Sequence, residues 1–188
     1  MGLAFHEPTH TYRLDGQVVP SVTSLLDKLA QFAGVREEIL AAARERGTAV
    51  HRACHYLDEN DLDEASVAEE VVGYLRAWAR FKSESRCEVV EVERMAAHPT
   101  LRFAGTWDRV LRIGGDEFTA DIKTGEPAWP QGMQLAAYNA LRGAQTAKRA
   151  TVHLRRDGTY RFREWHDPDD WPAFVSLVTL HWKAARHA

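Results

Sequence analysis

Residues 105–125, GTWDRVLRIGGDEFTADIKTG, decide the fold of this chain. Apolar and polar residues alternate on both sides of Gly114-Gly115, which is the pattern of two half-buried strands. A glycine pair suits a tight hairpin turn because glycine accepts positive φ angles without steric cost. If the turn is tight, equal steps outward along both strands bring Asp108 opposite Asp121. The sequence therefore predicts an antiparallel hairpin that carries two opposed carboxylates.

The opposed carboxylates of Asp108 and Asp121 repel each other, because directly opposed Cβ atoms lie about 4.5–5.5 Å apart. A shared proton would relieve the repulsion by raising one pKa, and a hard divalent cation such as Mg²⁺ or Mn²⁺ would relieve it by coordination. Lys123 shares the sheet face of Asp121, whereas Ala120 and Ile122 point to the apolar face. A lysine beside a bound cation can orient or help deprotonate a water for attack on phosphorus. An ion-pair cluster without chemistry is the alternative.

The rest of the chain predicts helices around this hairpin. Asp15-Gly16 is the turn of an N-terminal β-hairpin, and Ser21 is a candidate N-cap for a following helix. Helical spacing and short alternating runs predict the other elements. They are helices over residues 35–58, 64–83, 129–142 and 171–188, with Gly47 a candidate break in the first, and strands near residues 90–92, 101–113, 117–123, 150–156 and 159–165. We expect a single α/β domain over residues 1–188, in which helices flank a central mixed or largely antiparallel sheet.

Composition is ordinary for a soluble globular protein, with 45% hydrophobic and 27% charged residues. No stretch approaches the roughly 20 apolar residues of a membrane helix, and the first residues lack a secretory pattern. We therefore expect a cytoplasmic protein that does not bind membranes. Cys54 and Cys87 are too few for a four-cysteine metal site, and we expect both to be buried or inert thiols.

Charge is distributed unevenly, although a net charge of −3 does not by itself indicate a nucleic-acid-binding protein. Residues 58–70 are acidic, and residues 142–163 are basic except for Asp157. A basic surface beside an acidic metal site would suit a polyanion such as DNA. Arg142, Arg149 and Arg155 are therefore candidate DNA contacts, with two solvated faces as the alternative.

Histidine pairs and tryptophans are two other features that can mark a functional site. His51 and His55 stand four residues apart on a predicted helix, as in zinc metalloproteases, but Arg52 occupies the position where those enzymes carry glutamate. Proteolysis is therefore disfavoured, and His55 is expected to be an ordinary histidine. Tryptophans can stack on bases, but we expect most of them in the core or at groove edges, and Trp107 to pack away from Asp108. The other tryptophans considered are Trp78, Trp129, Trp165, Trp171 and Trp182.

Four short motifs follow one another along the chain. They are Gly47-Thr-Ala-Val-His51, Gly105-Thr-Trp-Asp108, Asp121-Ile-Lys123-Thr-Gly125 and Gln134-Leu-Ala-Ala-Tyr138. Together they resemble the signature of RecB-like PD-(D/E)XK nucleases. The opening, His10-X-Tyr12 followed by Gly16 and Pro20-Ser-Val-Thr23, is similar to the start of many phage-borne members. The resemblance covers residues 10–138 and implies a restriction-endonuclease-like core.

The resemblance implies a role for each matching residue at the metal. Asp108 and Asp121 would be metal ligands, together with the main-chain carbonyl of Ile122. His51 would be a further metal ligand, as in the RecB-like branch. Lys123 would orient the attacking water or stabilise the transition state.

Three more residues receive roles from the same resemblance. Gln134 and Tyr138 lie four residues apart, so one helical face presents both, and they would position the phosphate backbone or the catalytic lysine. Glu93 stands where related phage proteins often place an acidic residue. An exposed strand glutamate without a role is the alternative for Glu93.

The implied function is a Mg²⁺- or Mn²⁺-dependent deoxyribonuclease, expected to be an exonuclease in phage or bacterial recombination or repair. The chain lacks the four cysteines that hold an iron–sulfur cluster in several relatives, and it has no Walker-type nucleotide loop. DNA is the expected substrate, and a recombination or single-strand-annealing protein and a homo-oligomer are partners to consider. The alternatives are a DNA- or partner-binding module without efficient catalysis and a structure-specific or RNA-directed endonuclease.

Overall fold

The predicted hairpin lies at the centre of a five-stranded mixed sheet in the computed structural model, which describes residues 2–29 and 37–187. The strand order is β4-β5-β6-β7-β8, and only the pairing of β6 with β7 is parallel. The helix between these two strands makes their parallel pairing possible, because parallel neighbours need a crossover connection. The strands are β4 (Glu88–Ala97), β5 (Ala104–Ile113), β6 (Asp116–Lys123), β7 (Lys148–Leu154) and β8 (Tyr160–Glu164).

The register of the central hairpin is the one that its glycine pair predicts. Gly114 and Gly115 have φ angles of 59° and 93°, so both central residues of the turn are in the left-handed region that glycine adopts easily. The pairing runs from Ile113↔Asp116 outward to Arg109↔Ala120. The ladder ends there, and the next residues on the two strands are Asp108 and Asp121.

The N-terminal segment forms the expected hairpin around Asp15-Gly16, and one further strand extends it to a small sheet of three described strands. The added strand β1 (Leu3–His6) pairs with β2 (Thr11–Leu14), which pairs with β3 (Gln17–Val19). Ser21 caps α1 (Val22–Leu26) in a reciprocal capping box with Ser24. The prediction that Ser21 is the N-cap is therefore confirmed.

Helices pack on both faces of the large sheet and bury its apolar side chains. On one face, Ala120 and Ile122 join a core that also contains Val50 and Trp78. On the other face, Trp107 packs in a core with residues of the helices that follow the hairpin, and its orientation away from Asp108 stays a prediction. The remaining helices are α2 (Glu37–Asp58), α3 (Glu69–Ser85), α4 (Pro130–Arg142) and α5 (Asp170–Ala185).

Several predicted boundaries change. The helix α2 runs without interruption through Gly47, so the predicted break is wrong, and its predicted start at residues 35 and 36 lies outside the described residues. A short 3₁₀ turn, Glu64–Ser66, precedes α3, and Arg102 adopts a positive φ angle of 52° before β5. The second hairpin begins two residues earlier than predicted, at Lys148.

The tryptophans and cysteines occupy mixed environments. Trp78 and Trp165 are buried, whereas Trp129 is 59% exposed. Cys54 is buried as expected, and Cys87 is partly exposed. Burial raises the pKa of both thiols, to about 12 for Cys87, so neither is a reactive thiolate at neutral pH. Among the helices that the structure describes, none is long and apolar enough to cross a membrane.

Candidate active site

Three side chains from different elements converge where β5 and β6 meet α2. They are Asp108 of β5, Asp121 of β6 and His51 of α2, and one ligand atom from each lies within 4.8 Å of the other two. Both aspartates are buried and His51 is half-buried. The hairpin register brings the two carboxylates together, and the packing of α2 against the sheet adds the imidazole.

Asp108 is held by hydrogen bonds on both carboxylate oxygens. Its Oδ2 accepts the main-chain N–H of Ile122 at 2.8 Å, and its Oδ1 accepts a short hydrogen bond from Arg109 Nη1. Burial alone would raise the pKa of Asp108, but the charges of His51 and Arg109 and these hydrogen bonds hold it well below its usual value. Asp108 is therefore ionised at neutral pH, as a carboxylate ligand must be.

The His51 ring lies between two oxygen acceptors. Its Nε2 is 2.7 Å from the main-chain carbonyl oxygen of Ile122, and its Nδ1 is 3.3 Å from Asp108 Oδ1. Burial lowers the pKa of His51, but the Asp108 carboxylate more than offsets this and raises the pKa to about 9. In the absence of other cations, the protonated ring donates to both oxygens. The Ile122 carbonyl oxygen and the Asp108 carboxylate thus form a pair of acceptors, and the protonated His51 ring bridges them.

The expected repulsion between the two carboxylates is relieved by ion pairs, which the sequence left open as the alternative to a bound metal. Lys123 Nζ lies 2.5 Å from Asp121 Oδ2, and Arg109 and His51 neutralise Asp108. Neither a shared proton nor a metal ion is therefore required to offset the repulsion between the Asp108 and Asp121 carboxylates. The case for a metal at this site therefore rests on its donor atoms and not on unrelieved repulsion.

Lys123, Gln134 and Tyr138 form a hydrogen-bonded chain. Lys123 Nζ donates to Gln134 Oε1 at 3.1 Å, and Gln134 Nε2 donates to the Tyr138 hydroxyl at 3.1 Å. Burial and the nearby Asp121 charge raise the pKa of Tyr138 above its usual value, so its hydroxyl stays neutral. The helix α4 therefore fixes the direction of the lysine through Gln134. The side chains of the four motifs meet in one place.

A buried charge network behind Asp108 was missed by the sequence analysis. The Arg109 side chain is fully buried, and its Nε donates to Asp58 Oδ2 at 2.8 Å. Asp58 Oδ1 in turn accepts from Lys82 Nζ at 2.6 Å and from Trp78 Nε1 at 2.9 Å. Strand alternation could have indicated this network. It places Arg109 on the same apolar face as Leu111, where a buried guanidinium needs a charged partner. Asp58 was instead grouped with the acidic run that follows it.

Glu93 pairs with His55 and is not one of the three converging side chains. His55 Nδ1 is 3.3 Å from Glu93 Oε2, and His55 Nε2 is 3.1 Å from Glu59 Oε2. Glu93 has a positive φ angle of 45° within β4, whereas the register shift of that strand lies between Val89 and Glu91. Its supporting role stays a prediction.

The three arginines proposed as DNA contacts differ in their surroundings. Arg142 contacts Thr119 and Glu117 with little of its side chain exposed. Arg149 pairs with Asp170 at 2.7 Å and is also mostly buried. Arg155 is exposed at the β7–β8 turn. A DNA contact remains a prediction for all three, and Arg155 has the most accessible side chain.

The donor atoms at the site suit a hard divalent cation. Two carboxylates and a main-chain carbonyl are the oxygen ligands that Mg²⁺ and Mn²⁺ prefer, and His51 adds one imidazole nitrogen. The electronegative pair of Asp108 and the Ile122 carbonyl faces one imidazole, and the Asp121 carboxylate lies within reach. The residues present therefore fit a bound cation.

Comparisons with known proteins give one family match. A family model described as the PD-(D/E)XK nuclease superfamily matches residues 2–176. A search of the curated proteins finds no match. The crystal structure of LHK-Exo in complex with dAMP is 19% identical, with a TM-score of 0.40, and the match covers 90% of this chain and 95% of that chain. LHK-Exo is an alkaline exonuclease from Laribacter hongkongensis.

A further solved structure is similar at the same level. The crystal structure of SSO0001 is 19% identical, with a TM-score of 0.37, and the match covers 71% of this chain and 72% of that chain. A second structure of the Laribacter hongkongensis enzyme has a TM-score of 0.36 at 19% identity and covers 77% of this chain and all of that chain. Because these TM-scores are low, no property of these structures is assigned to this chain.

Proposed function

Since the chain belongs to the PD-(D/E)XK nuclease superfamily, we propose that it is a divalent-metal-dependent deoxyribonuclease that hydrolyses DNA phosphodiester bonds. The observation that carries this proposal is the convergence of His51, Asp108 and Asp121 within 4.8 Å, with Lys123 Nζ 2.5 Å from Asp121.

Each residue of the site has a defined task in hydrolysis. Asp108, Asp121, His51 and the carbonyl of Ile122 would hold Mg²⁺ or Mn²⁺, which supplies charge neutralisation at the phosphate and acidifies water when bound. Asp108 is prepared for this task because Arg109 and the Ile122 N–H fix its carboxylate and keep it ionised. Little reorganisation is then needed when charge develops in the transition state.

Lys123 is the group that acts on the attacking water. Its Nζ lies 2.5 Å from Asp121 Oδ2 and 3.1 Å from Gln134 Oε1. These two contacts restrict the side chain to one orientation, toward the cluster. From there it orients a water for in-line attack on phosphorus or stabilises the charge that develops on the phosphate. No side chain forms a covalent intermediate in this scheme.

We propose an exonuclease that acts on DNA ends during phage or bacterial recombination or repair, in the cytoplasm of the host cell. The resemblance of the four motifs to those of RecB-like and phage-borne nucleases supports this finer assignment. A single-strand-annealing protein is the partner that such a pathway offers, and a homo-oligomer is compatible with it.

The test is DNA hydrolysis by the purified chain with Mg²⁺, Mn²⁺ or a chelator. The variants are Asp121→Asn and Lys123→Ala, and the control is Asp116→Asn, which alters a half-exposed carboxylate on the same strand. The parent and the control should degrade linear duplex DNA, and the two site variants should lose about 10²-fold or more of kcat. Equal activity in all four proteins would reject the mechanism.

The substrates separate the remaining possibilities. Degradation of linear but not closed circular DNA is the result expected of an exonuclease. Loss of circular DNA indicates an endonuclease, and faster cleavage of RNA indicates an RNA-directed enzyme. A module without catalysis should cleave none of them and should show no rise in melting temperature with Mn²⁺, whereas bound metal stabilises the folded state.

A further inference from the structure

His153 lies beside the catalytic lysine and is absent from the four motifs. It is 3% exposed on β7, where the parallel register pairs it with Lys123 of β6. Its Nδ1 lies 2.6 Å from the carbonyl oxygen of Gly125, and its Nε2 lies 2.8 Å from Thr151 Oγ1. Both ring nitrogens therefore have a partner in the interior of the domain.

The partners fix the direction of every hydrogen bond in this chain. The Gly125 carbonyl can only accept, so His153 Nδ1 must carry the proton. The indole of Trp165 can only donate, and its Nε1 lies 3.0 Å from Thr151 Oγ1. The Thr151 hydroxyl accepts from Trp165 and is free to donate its own proton to His153 Nε2. The result is a one-way relay from Trp165 through Thr151 and His153 to Gly125.

The charge state of His153 agrees with this relay. Burial and the nearby Lys123 lower the pKa of His153, against the bond to Gly125, which raises it. The ring is therefore neutral at neutral pH, with one donor and one acceptor nitrogen. A neutral ring also places no positive charge next to the ammonium of Lys123.

The relay ends on the segment that connects the lysine to the helix that orients it. This segment, the β6–α4 loop, comprises residues 124–129. His153 holds its Gly125 carbonyl, while Gln131 accepts from the Ala128 N–H at 3.2 Å and donates to the Glu126 carbonyl at 3.4 Å. The loop is thus anchored near both ends, and the anchor next to Lys123 is His153.

We propose that His153 is a positioning residue, which holds Lys123 in its reactive place by binding the β6–α4 loop through its Nδ1–H. The inference rests on the proposed function, because it assigns His153 a part in the same hydrolysis. The reason is geometric. Gly125 is two residues from Lys123, and a displacement of about 1 Å at a reacting group can cost about 10²-fold in rate.

The first test measures the relay without any substrate. Nitrogen-15 NMR of the histidine-labelled chain at neutral pH identifies which ring nitrogen is protonated, and His153→Asn assigns the signal. We expect a neutral ring protonated at Nδ1. Thr151→Val has nearly the same shape but no hydroxyl, so it should remove the hydrogen bond to Nε2 and shift the signal of that nitrogen, while the Gly125 carbonyl keeps the proton on Nδ1. A ring protonated at Nε2 in the parent would overturn the proposal whatever the activity.

The second test separates positioning from folding. Asn at position 153 can still donate to the Gly125 carbonyl from its amide, whereas His153→Leu cannot. We expect His153→Leu to lower kcat about 10- to 100-fold with little change in KM, and His153→Asn to recover most of that loss. The exposed His166→Leu is the control, and melting temperatures confirm that each variant is folded.

The outcomes distinguish this inference from the proposed function. If the parent hydrolyses DNA and the Leu and Asn variants have equal kcat values, His153 has no positioning role, while the nuclease assignment stands. If the parent hydrolyses no nucleic acid with either metal, the proposed function fails and the positioning role fails with it. The NMR measurement still decides in that case whether the relay exists.

Discussion

Arg109 Nε donates to Asp58 Oδ2 across 2.8 Å, and both side chains are fully buried. Asp58 is the last residue of α2, the helix that carries His51. The same guanidinium bonds the carboxylate of Asp108 through Nη1. One arginine therefore ties the helix of the imidazole ligand to the strand of the carboxylate ligand, which fixes their separation before any ligand binds.

Asp58→Ala should lower the free energy of unfolding by about 3–5 kcal/mol, because Arg109 and Lys82 lose the carboxylate that they share, and Arg109 keeps only Asp108 as a buried counter-charge. Urea denaturation followed by circular dichroism measures this change. The control is Glu88→Ala, which removes an exposed partner of Arg112 and should cost less than about 1 kcal/mol. Similar values for the two variants would show that the Asp58 pair does not organise the core.

His51→Ala should weaken Mn²⁺ binding by at least about 10-fold, because the site loses one of its ligands. Titration calorimetry measures the affinity directly, and the rise in melting temperature with Mn²⁺ gives a second measure. At a metal concentration about 100-fold above Kd, the parent should gain about 2.7 kcal/mol of stability.

The matched control for His51 is His55→Ala, one turn further along α2. His55 pairs with Glu59 and Glu93, so this variant should keep the parent affinity. If His55→Ala weakens Mn²⁺ binding as much as His51→Ala, the metal is not held by the predicted ligands.

Gln134→Leu and Tyr138→Phe should have graded effects on kcat. Gln134 accepts directly from Lys123, so Gln134→Leu should lower kcat by about 10²-fold through misplacement of the ammonium. Tyr138→Phe removes only the outer hydrogen bond of the chain, worth about 1 kcal/mol. Steady-state kinetics on linear DNA measures both, and a larger loss in Tyr138→Phe would contradict the order of the chain.

Features of this fold that local chemistry determines were predicted from the sequence. The glycine pair and the alternation around it specify the hairpin register, and Ser21 specifies the start of α1. The strand β1 was missed, because its four residues are too few for a clear alternation of apolar and polar side chains. Its pairing with β2 is what forms it. The break expected at Gly47 did not occur, since packing of the helix overrides the modest cost of one glycine.

The parts of the candidate site that lie close together in the sequence were predictable, and those that lie far apart were not. The opposition of Asp108 and Asp121 follows from the hairpin alone. His51 entered through a resemblance of motifs, because only tertiary packing brings α2 to the sheet. Arg109 and His153 were missed, since their partners stand 51 and 28 residues away in the chain and no spacing rule connects them.

Two helical glycines should respond in opposite directions to alanine. At Gly73 an added Cβ would lie 1.8 Å from the carbonyl oxygen of Arg156, so α3 would have to move and Gly73→Ala should cost at least about 1–3 kcal/mol. At Gly47 the nearest described atom outside its helix would be Thr124 Oγ1 at 4.0 Å, and Gly47→Ala should stabilise by about 0.5–1 kcal/mol. Urea denaturation decides both signs.

The contribution of His153 to stability should depend on pH in a defined direction. Its pKa is lowered from 6.5 in the folded state, with burial as the largest cause. Below that value the unfolded chain binds a proton that the folded chain resists, so stability is lost as the pH falls through the folded pKa. The parent should therefore exceed His153→Asn in stability by more at about pH 7.5 than at about pH 5, as measured by urea denaturation at each pH. An advantage that is constant, or that grows toward acid, would mean that the ring accepts a proton freely in the folded state. Protonation of Nε2 would displace the hydrogen bond that this nitrogen accepts from the Thr151 hydroxyl, so this measurement also bears on the direction of the relay, with neither metal nor DNA present.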